Sequence, residues 1–166
     1  FSVNIALIHN HQTVLGVIQL PVSGECFSAV KNMGAWKQIA KQKATSIHVA
    51  KLKTRKPVIS VSGARQNNLL QEFLSNIGNH ELKYIGSSIK SCRVAEGSVD
   101  CCPCLGPTSE WDTAAAQCIV EQAGGHLTNV KGEALSYNKR QTLINPWFIV
   151  YGDSDHDWHQ HIPAEP

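Results

Sequence analysis

The pattern of apolar residues changes at Pro57, and this change restricts the chain to folds that combine two kinds of sheet. Before it, residues 1–8 and 13–20 are two β-rich runs joined by a short polar loop, which predicts an antiparallel hairpin. Glu25–Val30 is predicted as a third strand, followed by a turn. Residues 1–36 are therefore predicted to be the end of an N-terminal antiparallel sheet layer.

Beyond Pro57 the predicted strands alternate with predicted helices. The run 57–62 is short and apolar, like a strand buried in an α/β sheet. Apolar spacing predicts helices over 66–77, 87–96 and 109–123, and short strands over 82–85 and 148–150. This alternation predicts a C-terminal α/β domain over 57–152, and the fold class is α/β.

A basic segment, 37–56, connects the two predicted parts. Between Lys31 and Lys56 there are eight basic residues and no acidic one. Such a run is typical of a solvated connector, and the alternative is a surface that attracts anions. A charge run alone favours the connector.

Composition excludes several classes of protein. Of 166 residues, 42% are hydrophobic, which supports a real core, and the net charge of +2 gives no general case for a nucleic-acid partner. No apolar run approaches the about 20 residues that cross a bilayer. No leader opens the chain, so a cytoplasmic location is expected, with peripheral contact to an inner membrane as an alternative. The oligomeric state stays open.

The two ends of the chain lead to separate expectations. Phe1 begins without an initiator Met, inside a run that reads as a strand, so we expect residues upstream of it. The tail 153–166 is rich in His and Asp, and we expect it to be flexible. The alternative for the tail is a transition-metal site built from three histidines and two aspartates.

Six cysteines are present, and one pair, Cys101 and Cys104, has C-x-x-C spacing. A structural zinc site usually needs a second pair, which the sequence lacks. Reduced thiols are therefore favoured over zinc or a disulfide scaffold.

The first candidate site is the run 86–90, with sequence G-S-S-I-K. Gly86 follows a predicted strand, Ser87 and Ser88 open a predicted helix, and Lys90 lies one turn in. Unpaired N–H groups at a helix start, two hydroxyls and an ammonium together can bind phosphate. The alternative is that Ser87 is an ordinary N-cap and Lys90 a solvated side chain.

The second candidate is Asp112, in the first turn of the helix predicted over 109–123. A carboxylate there can serve as a hard oxygen ligand for magnesium. It can equally complement the helix dipole, with Ser109 as the cap, so both interpretations stay open.

These pieces, in this order, resemble the inositol monophosphatase superfamily. The run 111–115 (W-D-T-A-A), followed by A-G-G at 123–125, is similar to that family's C-terminal signature. The run 86–90, with A-E-G at 95–97, resembles its 3'(2'),5'-bisphosphate nucleotidase branch. The resemblance extends to about Asp153 and implies part of a layered α-β-α-β-α sandwich, the sugar-phosphatase fold.

The resemblance implies a magnesium-dependent phosphate monoester hydrolase with two or three Mg²⁺ ions in the complete enzyme. The expected substrate is a small phosphorylated molecule, 3'-phosphoadenosine 5'-phosphate, cut to AMP and phosphate. Alternatives are an inositol or sugar monophosphatase, or a non-catalytic nucleotide-binding copy. The implied substrate-binding residues are Gly86, Ser87, Ser88, Lys90 and Asp112, with Asp112 as the metal ligand.

Three features depart from the family's pattern. The paired glutamates and the D-P-x-D-G-T motif, which hold most of the metal, do not occur in this sequence. The run 60–63 reads S-V-S-G where relatives show S-R-S-H, and 102–104 reads C-P-C where Y-x-R is typical. Cysteine cannot form the bidentate anion pair that arginine forms. The chain alone is therefore expected to be inactive.

Overall fold

The computed structural model describes residues 1–53, 56–63 and 67–163, and these form two five-stranded sheets with helices packed on them. The predicted α/β class, with an antiparallel sheet followed by an α/β unit, is confirmed. The strands β1 to β5 form the first sheet: Val3–His9, Gln12–Leu20, Glu25–Val30, Gly34–Ile39 and Thr45–Ser46.

The first sheet is an antiparallel meander in chain order. Its first hairpin turns at Asn10 and His11, whose φ angles of 48° and 65° suit a turn with the twist of the flanking strands. Side chains alternate along β3, so that Phe27 and Ala29 are buried on one face. The sheet therefore presents one apolar face to the rest of the molecule.

The second sheet is mixed, with strand order β7-β6-β8-β10-β9. Strand β6 pairs in parallel with β7 and β8, and β10 pairs antiparallel with β8 and β9. Its strands are β6 Val58–Val61, β7 Glu81–Tyr84, β8 Cys101–Cys104, β9 His126–Asn129 and β10 Phe148–Tyr151.

The described helices are α1, Asn68–Ile77, α2, Ile89–Ala95, and α3, Glu110–Gln122, with a short 3-10 helix at His159–His161. Asn67 caps α1 by accepting a 2.8 Å hydrogen bond from the Leu70 N–H. Within the described ranges, no helix combines the length and the apolar character needed to cross a membrane.

Helices α2 and α3 lie between the two sheets, and α1 covers the opposite face of the second sheet. One apolar cluster joins Ile18 and Phe27 of the first sheet to Ile119 of α3 and Val150 of the second sheet. A separate cluster packs α1 against β6, β8 and β10. Alternate residues of β8 serve the two clusters, with Cys102 in the first and Cys101 in the second.

The close packing of α3 on the first sheet depends on Gly16 of β2. A Cβ atom at this position would overlap the carbonyl oxygen of Ala115. Only glycine lets the backbone of the strand approach the helix this closely.

The predicted division into domains stays a prediction, but its boundaries differ from the observed elements. The sheet does not end at residue 36, because β4 runs to Ile39 and β5 adds Thr45 and Ser46 inside the predicted connector. The turn predicted after Val30 is real but leads directly into β4.

The tail predicted to be flexible packs against the rest of the molecule over the part that the structure describes. Trp158 is fully buried, and its Nε1 donates a 2.9 Å hydrogen bond to the Asp153 carbonyl oxygen. One large indole burial is enough to fix this segment on the sheet. Residues 164–166 lie outside the described range.

The basic connector is partly neutralised by ion pairs. Lys37 lies 2.7 Å from Glu25 and 2.6 Å from Glu96, and Lys51 lies 2.8 Å from both Asp153 and Asp155. These lysines contribute to tertiary structure rather than to a free anion-attracting surface. Arg55 lies outside the described residues.

Candidate active site

The starts of α2 and α3 meet at one cavity of about 160 Å³, hereafter the crevice. Four of the five predicted site residues line it: Ser87, Ser88, Lys90 and Asp112. The helix starts touch directly, because the Ser88 hydroxyl donates a 3.2 Å hydrogen bond to the Asp112 carbonyl oxygen. The remaining lining residues are Ser62, Ser91, Cys104, Thr108, Thr113 and Phe148.

Gly86 is the predicted site residue that does not line the crevice. A Cβ atom at this position would meet no atom within 4 Å, and its φ angle is not among the positive ones. Neither space nor backbone conformation therefore requires glycine here.

Ser87 adopts a left-handed backbone conformation with φ of 60°. Such a conformation costs a non-glycine residue roughly 1–2 kcal/mol, and residues of this kind concentrate at functional sites. Its hydroxyl lies 2.6 Å from that of Ser2. The helix α2 begins two residues after this strained position, at Ile89.

The expected alternative role of Ser87 as an N-cap is wrong. The N-cap of α2 is Ser88, and its side chain makes no capping hydrogen bond. Instead, the Ser88 hydroxyl accepts a 3.0 Å hydrogen bond from Asn4 Nδ2 of β1 while it donates to Asp112. Ser88 thereby connects the first sheet to both helix starts.

Asp112 is exposed at the third position of α3. Its Oδ2 accepts a 3.0 Å hydrogen bond from the Ser109 N–H. This is one half of a capping box, in which the Asp112 side chain caps the Ser109 N–H, whereas the sequence suggested Ser109 as the capping side chain. It fixes the orientation of the carboxylate toward the crevice, so capping and ligand binding are compatible in one side chain.

A second cavity, of about 280 Å³, adjoins the crevice and shares Ser62, Lys90 and Cys104 with it. Its other walls are largely apolar: Leu70, Pro103, Leu105, Gly106 and Pro107, with Asn67. Both polar atoms of the Asn67 side-chain amide are hydrogen-bonded, since Oδ1 caps α1 and Nδ2 donates to the Leu105 carbonyl oxygen.

The departures from the family's pattern fall at and beside these cavities. Cys104, where an arginine is typical, lines both of them. Val61, at the position where another arginine is typical, is buried in the apolar cluster between α1 and the second sheet. The groups lining the crevice that can bind an anion are therefore Lys90 and the hydroxyls.

The cysteines are unpaired thiols, most of them buried. Burial raises the pKa of Cys101 and of Cys102 well above the ordinary range. Within the described ranges, no group of three or more His, Cys, Asp and Glu side chains is arranged to hold a metal ion.

The donors in the crevice suit magnesium better than a softer metal, but they are few. Asp112 offers a carboxylate, and Ser87, Ser88 and Thr108 line the same space with hydroxyls. Oxygen donors are what Mg²⁺ prefers. With Asp112 as the one carboxylate lining the described crevice, an ion would be held mainly by water, and further carboxylates must complete a tight site.

Several lining residues were not foreseen as site residues. Thr108 and Thr113 lie close to Asp112 in sequence, on either side of the N-cap Ser109. Their nearness to the candidate carboxylate could have indicated that they belong to the site. The sequence contains no such signal for Ser91 and Phe148, because only tertiary packing brings β10 and the first turn of α2 to the crevice. Trp111, beside Asp112 in the first turn of α3, is 63% exposed.

Comparisons with known proteins agree with the family resemblance found in the sequence. The family description "inositol monophosphatase family" matches residues 1–161. The chain is 38% identical over 151 residues to 3'(2'),5'-bisphosphate nucleotidase CysQ of Escherichia coli K12, covering 90% of this chain and 59% of the relative. The CysQ of Haemophilus influenzae is 36% identical over 160 residues, covering 95% of this chain and 59% of the relative.

Solved structures show the same likeness. A crystal structure of CysQ from Bacteroides thetaiotaomicron superposes with a TM-score of 0.81 at 36% identity, over 91% of this chain and 62% of the other. An inositol monophosphatase from Zymomonas mobilis superposes with a TM-score of 0.77 at 21% identity, over 93% and 58%, which shows the fold alone. The chain thus spans about six tenths of these relatives, and on its match over residues 1–161 it belongs to the inositol monophosphatase family.

Proposed function

We propose that this protein is a magnesium-dependent phosphatase of the 3'(2'),5'-bisphosphate nucleotidase type, which converts 3'-phosphoadenosine 5'-phosphate to AMP and phosphate. The observation that carries the proposal is the crevice shared by Ser87, Ser88, Lys90 and Asp112. Hydroxyl and ammonium donors line it together with a carboxylate, which suits the joint binding of a phosphate and a cation. The names of the CysQ relatives support it.

The residues of the crevice have distinct proposed roles. Lys90 and the hydroxyls of Ser87 and Ser88 bind phosphoryl oxygens, and charge assistance makes the lysine contact the stronger one. Asp112 holds a metal ion, in an orientation fixed by the Ser109 N–H. Magnesium, when bound, supplies an activated water and neutralises phosphoryl charge.

The apolar cavity beside the crevice favours a nucleotide over an inositol phosphate. Leu70 and Leu105 offer contacts to a flat ring, and Lys90 reaches both spaces. An adenine ring can occupy such a pocket, whereas an inositol ring carries hydroxyls all round that would lose hydrogen bonds to water there.

The deciding experiment compares substrates with the full-length gene product in saturating magnesium. We expect phosphate release from 3'-phosphoadenosine 5'-phosphate to exceed that from inositol 1-phosphate. Turnover of the inositol phosphate alone would replace the proposal by the inositol or sugar phosphatase alternative.

A non-catalytic binding role is the second candidate, and Cys104 in both cavities is the observation that favours it. Loss of an arginine at that place weakens the hold on the anion. Nucleotide binding without any turnover would support this candidate. The 166-residue chain assayed alone is expected to be inactive, because the described crevice contains a single carboxylate.

We further propose a cytoplasmic location. The support is chemical: free thiols predominate in reducing compartments, and the cysteines here are unpaired. Labelling of the native protein in cell fractions is the direct check, and recovery in a secreted fraction would contradict the assignment.

A further inference from the structure

Two histidines in the C-terminal segment point their ring nitrogens at each other. Nε2 of His156 and Nε2 of His161 are 3.2 Å apart, with ring centroids 5.4 Å apart and planes inclined by 17°. Two imidazole nitrogens bound to one tetrahedral ion at 2.0–2.1 Å are about 3.3 Å apart. The pair therefore already has the separation that a shared metal ion imposes.

His161 is held by a contact on its other ring nitrogen. Its Nδ1 lies 3.1 Å from the Asn76 carbonyl oxygen at the end of α1. A carbonyl oxygen only accepts, so Nδ1 carries the proton and Nε2 keeps its lone pair in the neutral ring. Metal-binding histidines are usually oriented by this kind of outer contact.

His156 is held by packing. Its ring lies edge-on against Trp158, with centroids 4.4 Å apart, and Trp158 is fully buried and anchored to the Asp153 carbonyl oxygen. Neither imidazole therefore belongs to a loose tail. Holding both rings in place lowers the entropy cost of binding an ion.

An open space adjoins His156, one member of the pair. A surface cavity of about 400 Å³ is lined by Leu52, Asp153, Asp155 and His156, together with Lys51 and Lys53. It is a route by which a hydrated ion can reach His156, as a genuine metal site requires.

We propose that His156 and His161 chelate one divalent transition-metal ion of the class that prefers imidazole, such as Ni²⁺, Cu²⁺ or Zn²⁺, with water in the remaining positions. Its ligands are nitrogens, whereas the crevice at Asp112 offers oxygens, so the two sites select different metals. The described part of the chain adds no third side-chain ligand here. The competing explanation for the short distance is a direct N–H···N hydrogen bond between the rings.

The test is calorimetric titration of Ni²⁺ into the 166-residue chain carrying no histidine tag. We expect one ion per chain, with affinity weakened at least about tenfold in His156→Gln and in His161→Gln. Mutating even a residue that only contacts a metal ligand lowers metal affinity about 10- to 100-fold. His159→Gln is the matched control from the same segment. Its Nε2 is engaged 3.0 Å from the Thr128 hydroxyl, so this variant keeps the affinity of the unmodified chain.

A thermal measurement makes the result independent of small folding defects. Each variant is first melted without metal, and then with Ni²⁺ in excess. An ion that binds only the folded chain raises Tm, so we expect a rise for the unmodified chain and for His159→Gln but not for His156→Gln. If His161→Gln does not fold, His156→Gln decides alone. No binding by the unmodified chain, or equal affinity in His156→Gln, overturns the proposal and leaves the hydrogen bond.

Discussion

Arg93 of α2 donates two parallel hydrogen bonds to Glu25 of β3, from Nη1 to Oε1 and from Nη2 to Oε2, both 2.8 Å long. Lys37 of β4 and Glu96 complete a four-membered ion-pair network around this contact. Glu25 is only 8% exposed, so water screens the network weakly. The network ties the helix that carries Lys90 to the first sheet.

This arrangement predicts a specific loss of stability in acid. Hydrogen bonds from Arg93 hold the pKa of Glu25 well below its ordinary value of 4.5, against the opposing effect of burial and with further help from Lys37 and Ser23. A lowered folded-state pKa contributes stability that is present above the unfolded-state pKa and lost as pH falls toward the folded one. We therefore expect this contribution to the free energy of unfolding to decline steadily below about pH 4.5.

Glu25→Gln tests the assignment. We expect the free energy of unfolding at pH 7 to fall by about 2 to 3 kcal/mol, because Arg93 and Lys37 lose a partner that is mostly buried. The variant should also lose less stability than the unmodified chain between pH 5 and pH 3, measured by urea denaturation. Glu81→Gln is the control, since its 3.7 Å pair with Lys83 is exposed. Parallel pH profiles for Glu25→Gln and the unmodified chain would contradict the prediction.

Asp112→Asn in the full-length gene product should lower turnover more than about 100-fold. Loss of a residue that only contacts a metal ligand already lowers activity about 10- to 100-fold, and Asp112 is proposed as a ligand itself. The fold should survive, because an asparagine oxygen can still accept the hydrogen bond from Ser109 N–H. Steady-state kinetics over a magnesium series is the measurement. Gly86→Ala, beside the crevice but not lining it, should keep normal kinetics. Full activity in Asp112→Asn would remove this carboxylate from the metal site.

Ser87→Gly should separate stability from substrate binding. Glycine relieves the left-handed strain at this position. We therefore expect the free energy of unfolding to stay level or to rise by up to about 1 kcal/mol, and Tm to follow it. The KM for the phosphorylated substrate should increase, because a hydroxyl leaves the crevice. Ala40→Gly, at an exposed position with φ of 48°, should share the stability change without any change in KM. An unchanged KM in Ser87→Gly would exclude this hydroxyl from substrate binding.

Most of the thiols should be unreactive while the chain is folded. Burial raises the pKa of Cys92, Cys101 and Cys102, and raises that of Cys118 to about 11. The thiolate is the reactive form, so a disulfide reagent at pH 8 should at most label Cys26, which is partly exposed, and Cys104, which lines both cavities, at an appreciable rate. All six should react in denaturant. Rapid labelling of three or more thiols in the native chain would show that the packing around β8 opens readily.

The helices and the first hairpin were predictable because their signals are local. In α3 the capped start at Ser109 and the stop before Gly124 fix both ends, and the observed helix Glu110–Gln122 agrees within a residue. The likeness to a phosphatase family was also readable, since it depends on short runs around Ser87 and Asp112.

The strands that were missed have no such local signal. In β8 the sequence C-P-C contains a proline, which normally argues against a central strand. The structure tolerates Pro103 because β6 pairs with β8 at Cys101 alone, so the proline needs to fit only the ladder with β10. β4 mixes Trp36 with the polar residues Lys37 and Gln38, and its strand character comes from pairing with β3.

The meeting of the two helix starts was a hypothesis that the sequence could not test. Ser88 and Asp112 are 24 positions apart, and only the packing of α2 beside α3 between the sheets brings them into hydrogen-bonding contact. Their roles in chemistry stay a prediction, to be decided by the kinetics above.

The glycine beneath α3 has a consequence for how this protein tolerates change. Asp112 precedes Ala115 by one helical turn, and Ala115 rests on the bare backbone of Gly16. Adding even one methyl group there must lift the helix and tilt its first turn, although Gly16 itself does not line the crevice. A genetic screen for inactive copies should therefore recover replacements at position 16 alongside those at the carboxylate itself, as defects of alignment rather than of chemistry.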